Sequence, residues 1–136
     1  MTQEEKQLLL IDLCARLPYG VKVWYKYGLL ASGKFATSLR LADEKIALSR
    51  KFNKEGDWYP IEEAGEILIK PYLRPMSSMT EEEKINYRAF FNYDGVEYPD
   101  EYIDWLNAHH FDYRGLIEKG LALEAPEGMY KAEEQQ

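Results

Sequence analysis

The sequence has one cysteine and two histidines, and its apolar residues come only in short runs. A single thiol cannot form an internal disulfide, so a disulfide-stapled secreted fold is excluded. The longest apolar run, residues 8–11, is far shorter than the roughly 20 residues that a membrane span needs. The acidic start of the chain lacks the basic region and cleavage site of a secretory signal. We therefore expect a soluble, cytoplasmic protein that makes no membrane contact.

The formal net charge of −7 is unevenly distributed. Residues 1–75 carry 12 basic and 10 acidic side chains, whereas residues 76–136 carry 5 and 14. An acidic protein repels phosphates, so the overall charge disfavours general binding to polyanions. Residues 16–54 nevertheless carry 9 basic and 2 acidic side chains, which leaves a restricted basic face open.

The length of 136 residues favours a single domain, with a β-rich half at 1–75 and a helical half at 76–136. Thr2 followed by Glu5 fits a capping box, which predicts a first helix that Pro18 ends. Apolar residues lie on most sides of this helix. We therefore expect it to be largely buried, with Cys14 as an inert interior thiol.

Alternating polar and apolar residues next predict short, antiparallel β-strands. These strands cover residues 21–27, 34–41, 45–49, 58–59 and 67–69. Residues 60–64, which begin with proline, predict one helical turn before the last strand. Five short strands with one helical turn are typical of a small barrel. The predicted fold is therefore α+β, with a small antiparallel β-sheet or an SH3-like barrel.

Helical signals dominate the second half. A capping box at Thr80 begins a helix that runs to about Phe91. Pro99 begins a further helix with apolar residues at helical spacing, and Asp112 is placed to cap another over about 113–119. We therefore predict about three C-terminal helices that pack on the sheet beside the N-terminal helix.

Two stretches resemble a group of small proteins from anaerobic gut bacteria and their prophages. They are residues 70–83 (KPYLRPMSSMTEEE) and residues 105–126 (WLNAHHFDYRGLIEKGLALEAP), which together make up roughly a quarter of the chain. The resemblance implies a bacterial intracellular or phage-encoded setting and a variable, β-rich N-terminal half that leads into the two motifs. It implies no activity, cofactor or ligand residue.

The histidines and carboxylates are not spaced for catalysis or metal binding. His109 and His110 are adjacent in the sequence, and adjacent residues of a helix do not face one target. We interpret them as packing residues at a helix C-terminus, with a catalytic or pH-sensing role as the alternative. The consecutive carboxylates at 81–83 cap and solvate a helix, and both glycine-rich phosphate-loop motifs are absent from the sequence. These observations predict no enzyme, no cofactor and no metal site.

The clearest candidate site is a basic and aromatic strand face. If Val21 and Val23 point inward, then Lys22, Trp24 and Lys26 point outward together. The corresponding face of the next strand adds two cations, so that the candidate binding residues are Lys22, Trp24, Lys26, Lys34 and Arg40. A tryptophan between lysines can stack on a base while the ammonium groups meet phosphate. The alternative is a solvated strand face on which the lysine stems shield the indole.

The sequence leaves three candidate functions. Eleven tyrosines, a residue type common at interfaces, favour a non-enzymatic binding or accessory protein of a bacterial mobile element. Such a protein would contact a protein partner or a second copy of itself. A nucleic-acid-binding module that uses the basic strand face is the alternative. A hydrolase that uses one of the histidines is the least favoured, because no nucleophile, base and orienting group are visible together.

Overall fold

A computed structural model describes residues 1–26, 34–50, 57–92 and 95–130. This part of the chain contains three α-helices, namely Gln3–Arg16 (α1), Glu81–Arg88 (α2) and Pro99–Ala108 (α3). It also contains ten short strands. These are Val23–Tyr25 (β1), Lys34–Arg40 (β2), Lys45–Arg50 (β3), Asp57–Pro60 (β4), Glu62–Glu63 (β5), Glu66–Ile67 (β6), Ile69–Leu73 (β7), Phe91–Asn92 (β8), Gly95–Val96 (β9) and Leu123–Glu124 (β10). The α+β class and the N-terminal helix are thus confirmed.

The strands form four small sheets. β2, β3 and β4 make an antiparallel meander, as predicted. β7 lies at the centre of a second sheet, antiparallel to β1 on one side and parallel to β10 on the other. β5–β6 and β8–β9 are two-stranded hairpins. None of these sheets closes into a barrel, so the barrel alternative is not what the described residues form.

β1 is the strand whose pairing was predicted wrongly. It pairs with β7, and one backbone hydrogen bond, from the Ala36 amide to the Val21 carbonyl at 3.1 Å, connects it to the meander. The buried side chains explain this arrangement, because Val23 of β1 and Ile69 of β7 belong to the same apolar core. Local spacing along the chain carries no signal for a pairing between strands so far apart in sequence.

Residues 60–64 form a strand end and a hairpin rather than a helical turn. Glu62–Glu63 pairs with Glu66–Ile67, and the two loop residues Ala64 and Gly65 both have positive φ, at 53° and 82°. Two consecutive residues with positive φ match the turns that fit the twist of a two-stranded ribbon. The fixed φ of Pro60, which suggested a helix start, is equally compatible with the end of a strand.

Helix α1 begins at the predicted capping box. The Thr2 hydroxyl accepts from the Glu5 amide at 3.1 Å, and the Glu5 carboxylate accepts from the Thr2 amide at 2.9 Å. Its buried side consists of Leu9, Asp12, Leu13 and Arg16. The prediction of a largely buried helix is wrong, because the other side faces solvent. Cys14 is exposed there, on the same stripe as Gln7 and Ile11.

The principal core lies between α1, the two three-stranded sheets and the turns that follow α3. Its fully buried members are Leu9, Leu13, Val21, Val23, Ala36, Ile46, Leu48, Ile61, Leu68, Ile69, Leu73, Leu116, Leu121 and Ala122. Within the described ranges, residues 74–115 contribute none of them. The segment between β7 and Leu116 thus lies outside this cluster, and it contacts α1 through α3, Phe111 and Arg114.

The predicted helix over 113–119 is a series of turns instead. Gly115 adopts a left-handed conformation, with φ of 75°, which interrupts a helix. The Asp112 carboxylate accepts hydrogen bonds from the amides of Leu116 and Ile117, at 2.8 and 2.9 Å. Asp112 thus organises this segment through its side chain, but it holds turns and does not cap a helix.

We expect Tyr130→Phe to lower the free energy of unfolding by about 1–3 kcal/mol, measured by urea denaturation. The buried Tyr130 hydroxyl accepts from the Lys22 amide at 3.0 Å and donates to the Tyr72 carbonyl at 2.6 Å, so it ties Tyr130 to the residue before β1 and to β7. The substitution keeps the ring and removes both bonds. The exposed Tyr19→Phe is the control and should change stability by less than about 0.5 kcal/mol. An equal loss in both variants would contradict this role of Tyr130.

Candidate functional site

Helices α2 and α3 and the β8–β9 hairpin between them form an element distinct from the principal core. The described residues 76–92 and 95–108 are termed the arm. Of these residues, Glu83, Leu106 and Asn107 are buried, and every other one is exposed or half-buried. The arm is therefore mostly surface, although it is rich in aromatic side chains.

Arg74 fixes the base of the arm. Its guanidinium donates two hydrogen bonds to the Glu83 carboxylate, at 2.6 and 2.8 Å, and lies 4.3 Å from the centre of the Phe111 ring. Burial raises the pKa of Glu83, but the hydrogen bonds from Arg74 and from the Thr80 backbone outweigh it and hold the pKa below its usual value. A bidentate pair of this kind sets geometry as well as energy, so it orients α2 on the rest of the chain.

The backbone of Arg74 also joins the two ends of the arm. Its amide donates to the His110 carbonyl at 2.7 Å, and its carbonyl accepts from the Asp112 amide at 2.8 Å. The chain thus leaves β7 and returns from α3 at the same place. The stretches 70–83 and 105–126 meet here, so the two motifs are parts of one structural unit.

Five aromatic rings form a continuous cluster on the arm. Tyr87 lies 5.1 Å from Phe91, 5.9 Å from Tyr102 and 6.3 Å from Trp105, measured between ring centroids. Phe90 lies 5.6 Å from Tyr102 and 5.9 Å from Trp105. These five residues are termed the aromatic patch. None of them is fully buried, and Phe91 is 42% exposed.

Tyr102 lies at the centre of this patch as a neutral hydroxyl. Burial, reinforced by a hydrogen bond with Tyr87, raises the pKa of Tyr102 to about 12. The phenol therefore stays protonated at physiological pH. The patch offers a surface of rings and hydroxyl groups without a charge of its own.

The arm also carries many carboxylates. The exposed acidic residues of the arm are Glu81, Glu82, Glu97, Asp100, Glu101 and Asp104. Its basic residues are Lys84 and Arg88, and the Lys84 ammonium is 3.2 Å from the Glu81 carboxylate. The arm is thus an uncharged aromatic surface in a strongly negative setting.

The five residues predicted from the sequence do not share one sheet. Lys22, Trp24 and Lys26 lie on or beside β1, whereas Lys34 and Arg40 are the first and last residues of β2. β1 and β2 belong to different sheets, so the expectation that these strands are sheet neighbours is wrong. The predicted alternation along β1 itself is confirmed, because Val21 and Val23 are fully buried.

Three of the four predicted cations have partners within the chain. The Lys22 ammonium donates to the Met129 carbonyl at 3.2 Å, and the Lys26 ammonium is paired with the Glu66 carboxylate.

Arg40 is paired with Asp43 at 2.9 Å and lies 4.2 Å from the centre of the Trp58 ring. The side chain of Lys34 lies outside the described residues. The ion pairs of Lys26 and Arg40 compensate part of the positive charge from which the basic face was predicted.

Trp24 is half-buried and forms one wall of a cleft of about 430 Å³. Lys70 and Lys119 line the same cleft, together with Glu5 and Glu66, and the Lys70 ammonium is 5.8 Å from the Trp24 ring centre. The sequence analysis missed both lysines, because they reach Trp24 only through the β1–β7 pairing and the turns after α3. Two cationic and two anionic side chains thus line the cleft.

Both histidines lie in packing contacts. The His109 Nδ1 atom is 2.9 Å from the Trp105 carbonyl, at the end of α3. The buried His110 ring stacks on Tyr130 with 3.8 Å between centroids. Burial, together with the nearby positive charge of Arg16, lowers the pKa of His110 to about 3. The imidazole of His110 is therefore neutral at physiological pH. A general acid or base has to change its protonation state near that pH, so this pKa does not suit such a role.

Comparison of the chain with protein-family models, with curated proteins and with solved structures found no match. Across the described ranges, no helix combines the length and the apolar character that crossing a bilayer demands.

Proposed function

We propose that this chain is a non-enzymatic binding protein that engages a protein partner through the aromatic patch of the arm. The observation that carries the proposal is the cluster of Tyr, Phe and Trp rings, half-buried except for the exposed Phe91, on a segment that contributes no residue to the principal core. Aromatic residues are enriched at interfaces and often dominate their binding energy. The resemblance of residues 70–83 and 105–126 supports a role as an accessory protein of a bacterial mobile element or prophage.

The carboxylates of the arm select the chemistry of the partner. A partner surface with an apolar recess and nearby lysines or arginines complements both the rings and the acidic character of the arm. Such complementarity speeds association and discriminates against acidic partners. The same carboxylates repel phosphate groups, so the arm favours a basic protein over a nucleic acid.

We expect Phe91→Ala to weaken partner binding at least tenfold, because the ring is exposed in the free chain and loses its contact area on truncation. The partner is first captured from a bacterial extract, identified and purified, and its Kd is then measured for each variant. Ile85→Ala is the control, since Ile85 is 65% exposed on α2 of the same arm but lies outside the aromatic patch. Equal weakening by both substitutions would overturn the proposal.

The nucleic-acid alternative depends on Trp24 and the lysines of its cleft, and it has a separate test. Tryptophan fluorescence is titrated with single-stranded oligonucleotides at low and high salt. Salt-sensitive quenching that disappears in Trp24→Ala would establish the alternative and displace the arm as the functional site. The protein-binding proposal expects no salt-sensitive quenching.

A further inference from the structure

Helix α1 presents an uncharged stripe on its outer side, and Leu10 at the edge of this stripe also packs against the core. The members of the stripe are Gln3, Gln7, Leu10, Ile11, Cys14 and Ala15, of which Ile11 is 52% exposed. Between Lys6 and Arg16 the helix has a single charged residue, Asp12, and that residue is buried. In a chain with a net charge of −7, this stripe is a neutral surface.

The turn between β2 and β3 lies beside the stripe, and together they form a groove. Leu41, which is 62% exposed, and Glu44 form the other wall, and the groove encloses about 640 Å³. The Glu44 carboxylate is paired with the Lys6 ammonium, which also contacts the Glu62 carboxylate at 3.2 Å, so the charge of Glu44 is partly compensated. The groove is therefore lined by apolar and amide side chains and by one partly compensated carboxylate.

We propose that this groove binds helix α1 of a second copy of the chain, antiparallel to the first, in a two-fold symmetric dimer. Two acidic copies approach each other at the lowest electrostatic cost where each presents little uncompensated charge, and the groove, whose single carboxylate is paired with Lys6, is such a surface. In this arrangement each helix lies in the groove of the other copy. The proposal concerns a different helix from the arm and does not depend on the proposed function.

The spacing along α1 supports the antiparallel direction. Residues 3, 7, 10 and 14 alternate steps of four and three, which is the repeat of a two-helix seam. This pattern reads the same from both ends. In an antiparallel pair, Gln3 therefore faces Cys14 of the other copy and Gln7 faces Leu10. Such self-complementarity is what a two-fold interface requires.

The size of the surface sets the expected strength of the dimer. A helix of 14 residues is about 21 Å long, and one helix pair with the flanking Leu41 side chains lies at the small end of specific interfaces. We therefore expect a dimer that dissociates on dilution, with a Kd in about the micromolar range.

Sedimentation or light scattering over a range of concentrations tests the dimer directly. The unmodified chain should shift from monomer to dimer as its concentration rises. Ile11→Glu places a carboxylate in the groove of each copy and should weaken the dimer at least tenfold. Ile85→Glu adds the same charge at an exposed position on the arm and should leave the dimer unchanged. A monomer at every concentration, or equal weakening by both variants, would overturn the proposal.

Disulfide trapping tests the direction of the two helices. Gln3→Cys should form an interchain disulfide with Cys14 under mild oxidation, whereas Gln7→Cys, which faces Leu10, should form much less. In the Gln3→Cys variant, residues 3 and 14 of one copy lie about three helical turns apart, which is too far for an internal disulfide. Rapid linkage of Cys14 to Cys14 in the unmodified chain, or equal trapping by both variants, would refute the antiparallel seam.

Discussion

Asp12→Ala is expected to lower the free energy of unfolding by about 3–5 kcal/mol, because it leaves a buried cation without its counterion. The Asp12 carboxylate is fully buried and accepts from Arg16 Nε at 2.9 Å and from Arg114 Nη1 at 2.7 Å. Arg16 is itself fully buried. The loss is measured as a shift of the urea unfolding midpoint at constant slope.

Two further variants separate the buried charge from general effects of substitution. Asp43→Ala removes the exposed pair with Arg40 and should cost less than about 1 kcal/mol. The double variant Asp12→Ala/Arg16→Met removes both buried charges, and we expect it to be more stable than Asp12→Ala alone. A double variant no more stable than Asp12→Ala would contradict the explanation by an uncompensated charge.

The position of this pair explains why so large an effect is expected. Arg16 Nη2 donates to the Phe111 carbonyl at 2.6 Å, and the Arg114 guanidinium lies 4.4 Å from the centre of the Tyr113 ring. Asp12 therefore connects the N-terminal helix to the segment that follows the arm. Loss of the carboxylate releases contacts on both sides of this joint.

Acidification from about pH 6.5 to about pH 3 is expected to destabilise the fold through His110 by at most roughly 5 kcal/mol. The pKa of His110 is lowered from 6.5 to about 3 in the folded chain, so only the unfolded chain binds this proton readily between those values. The stability that depends on neutral His110 is fully present above the pKa of this residue in the unfolded chain. It decreases as the pH falls towards the pKa of His110 in the folded chain. Burial is the main cause, and four cationic groups act in the same direction, namely Arg16, His109, Arg74 and Lys22.

The measurement compares urea unfolding of the unmodified chain and of His110→Asn at several pH values between 7 and 4. Asparagine tolerates the φ of 61° at this position and does not titrate. The carboxylates that titrate in the same range are common to both proteins, so the stability difference isolates the imidazole. This difference should change steadily in favour of the variant as the pH falls. A difference that stays constant with pH would show that the His110 ring does not set the acid limit.

Local signals in the sequence predicted the local structure. The capping boxes at Thr2 and Thr80 are both present, because each requires only residues three positions apart. The alternation along β1 also predicted which side chains are buried. The partner of β1 was not predictable in this way. Its pairing with β7 and not with β2 depends on core contacts between residues far apart in the sequence.

The candidate site was harder to predict because exposure depends on tertiary contacts. The spacing of Tyr87 with Phe91, and of Tyr102 with Trp105, places each pair on one side of a helix, and this spacing was the available signal. The same spacing is typical of a core-facing helix, so it does not distinguish a surface patch from an interior. For Cys14 the prediction was wrong in the opposite direction. The apolar residues around it in the sequence suggested burial, but the residue faces solvent.

The paired backbone hydrogen bonds at Arg74 have a consequence for how related chains can vary. The same residue receives the chain as it departs for the arm and as it comes back, so the two ends of the arm are anchored at one position. Exposed substitutions between these two ends therefore need not displace the strands on either side of Arg74.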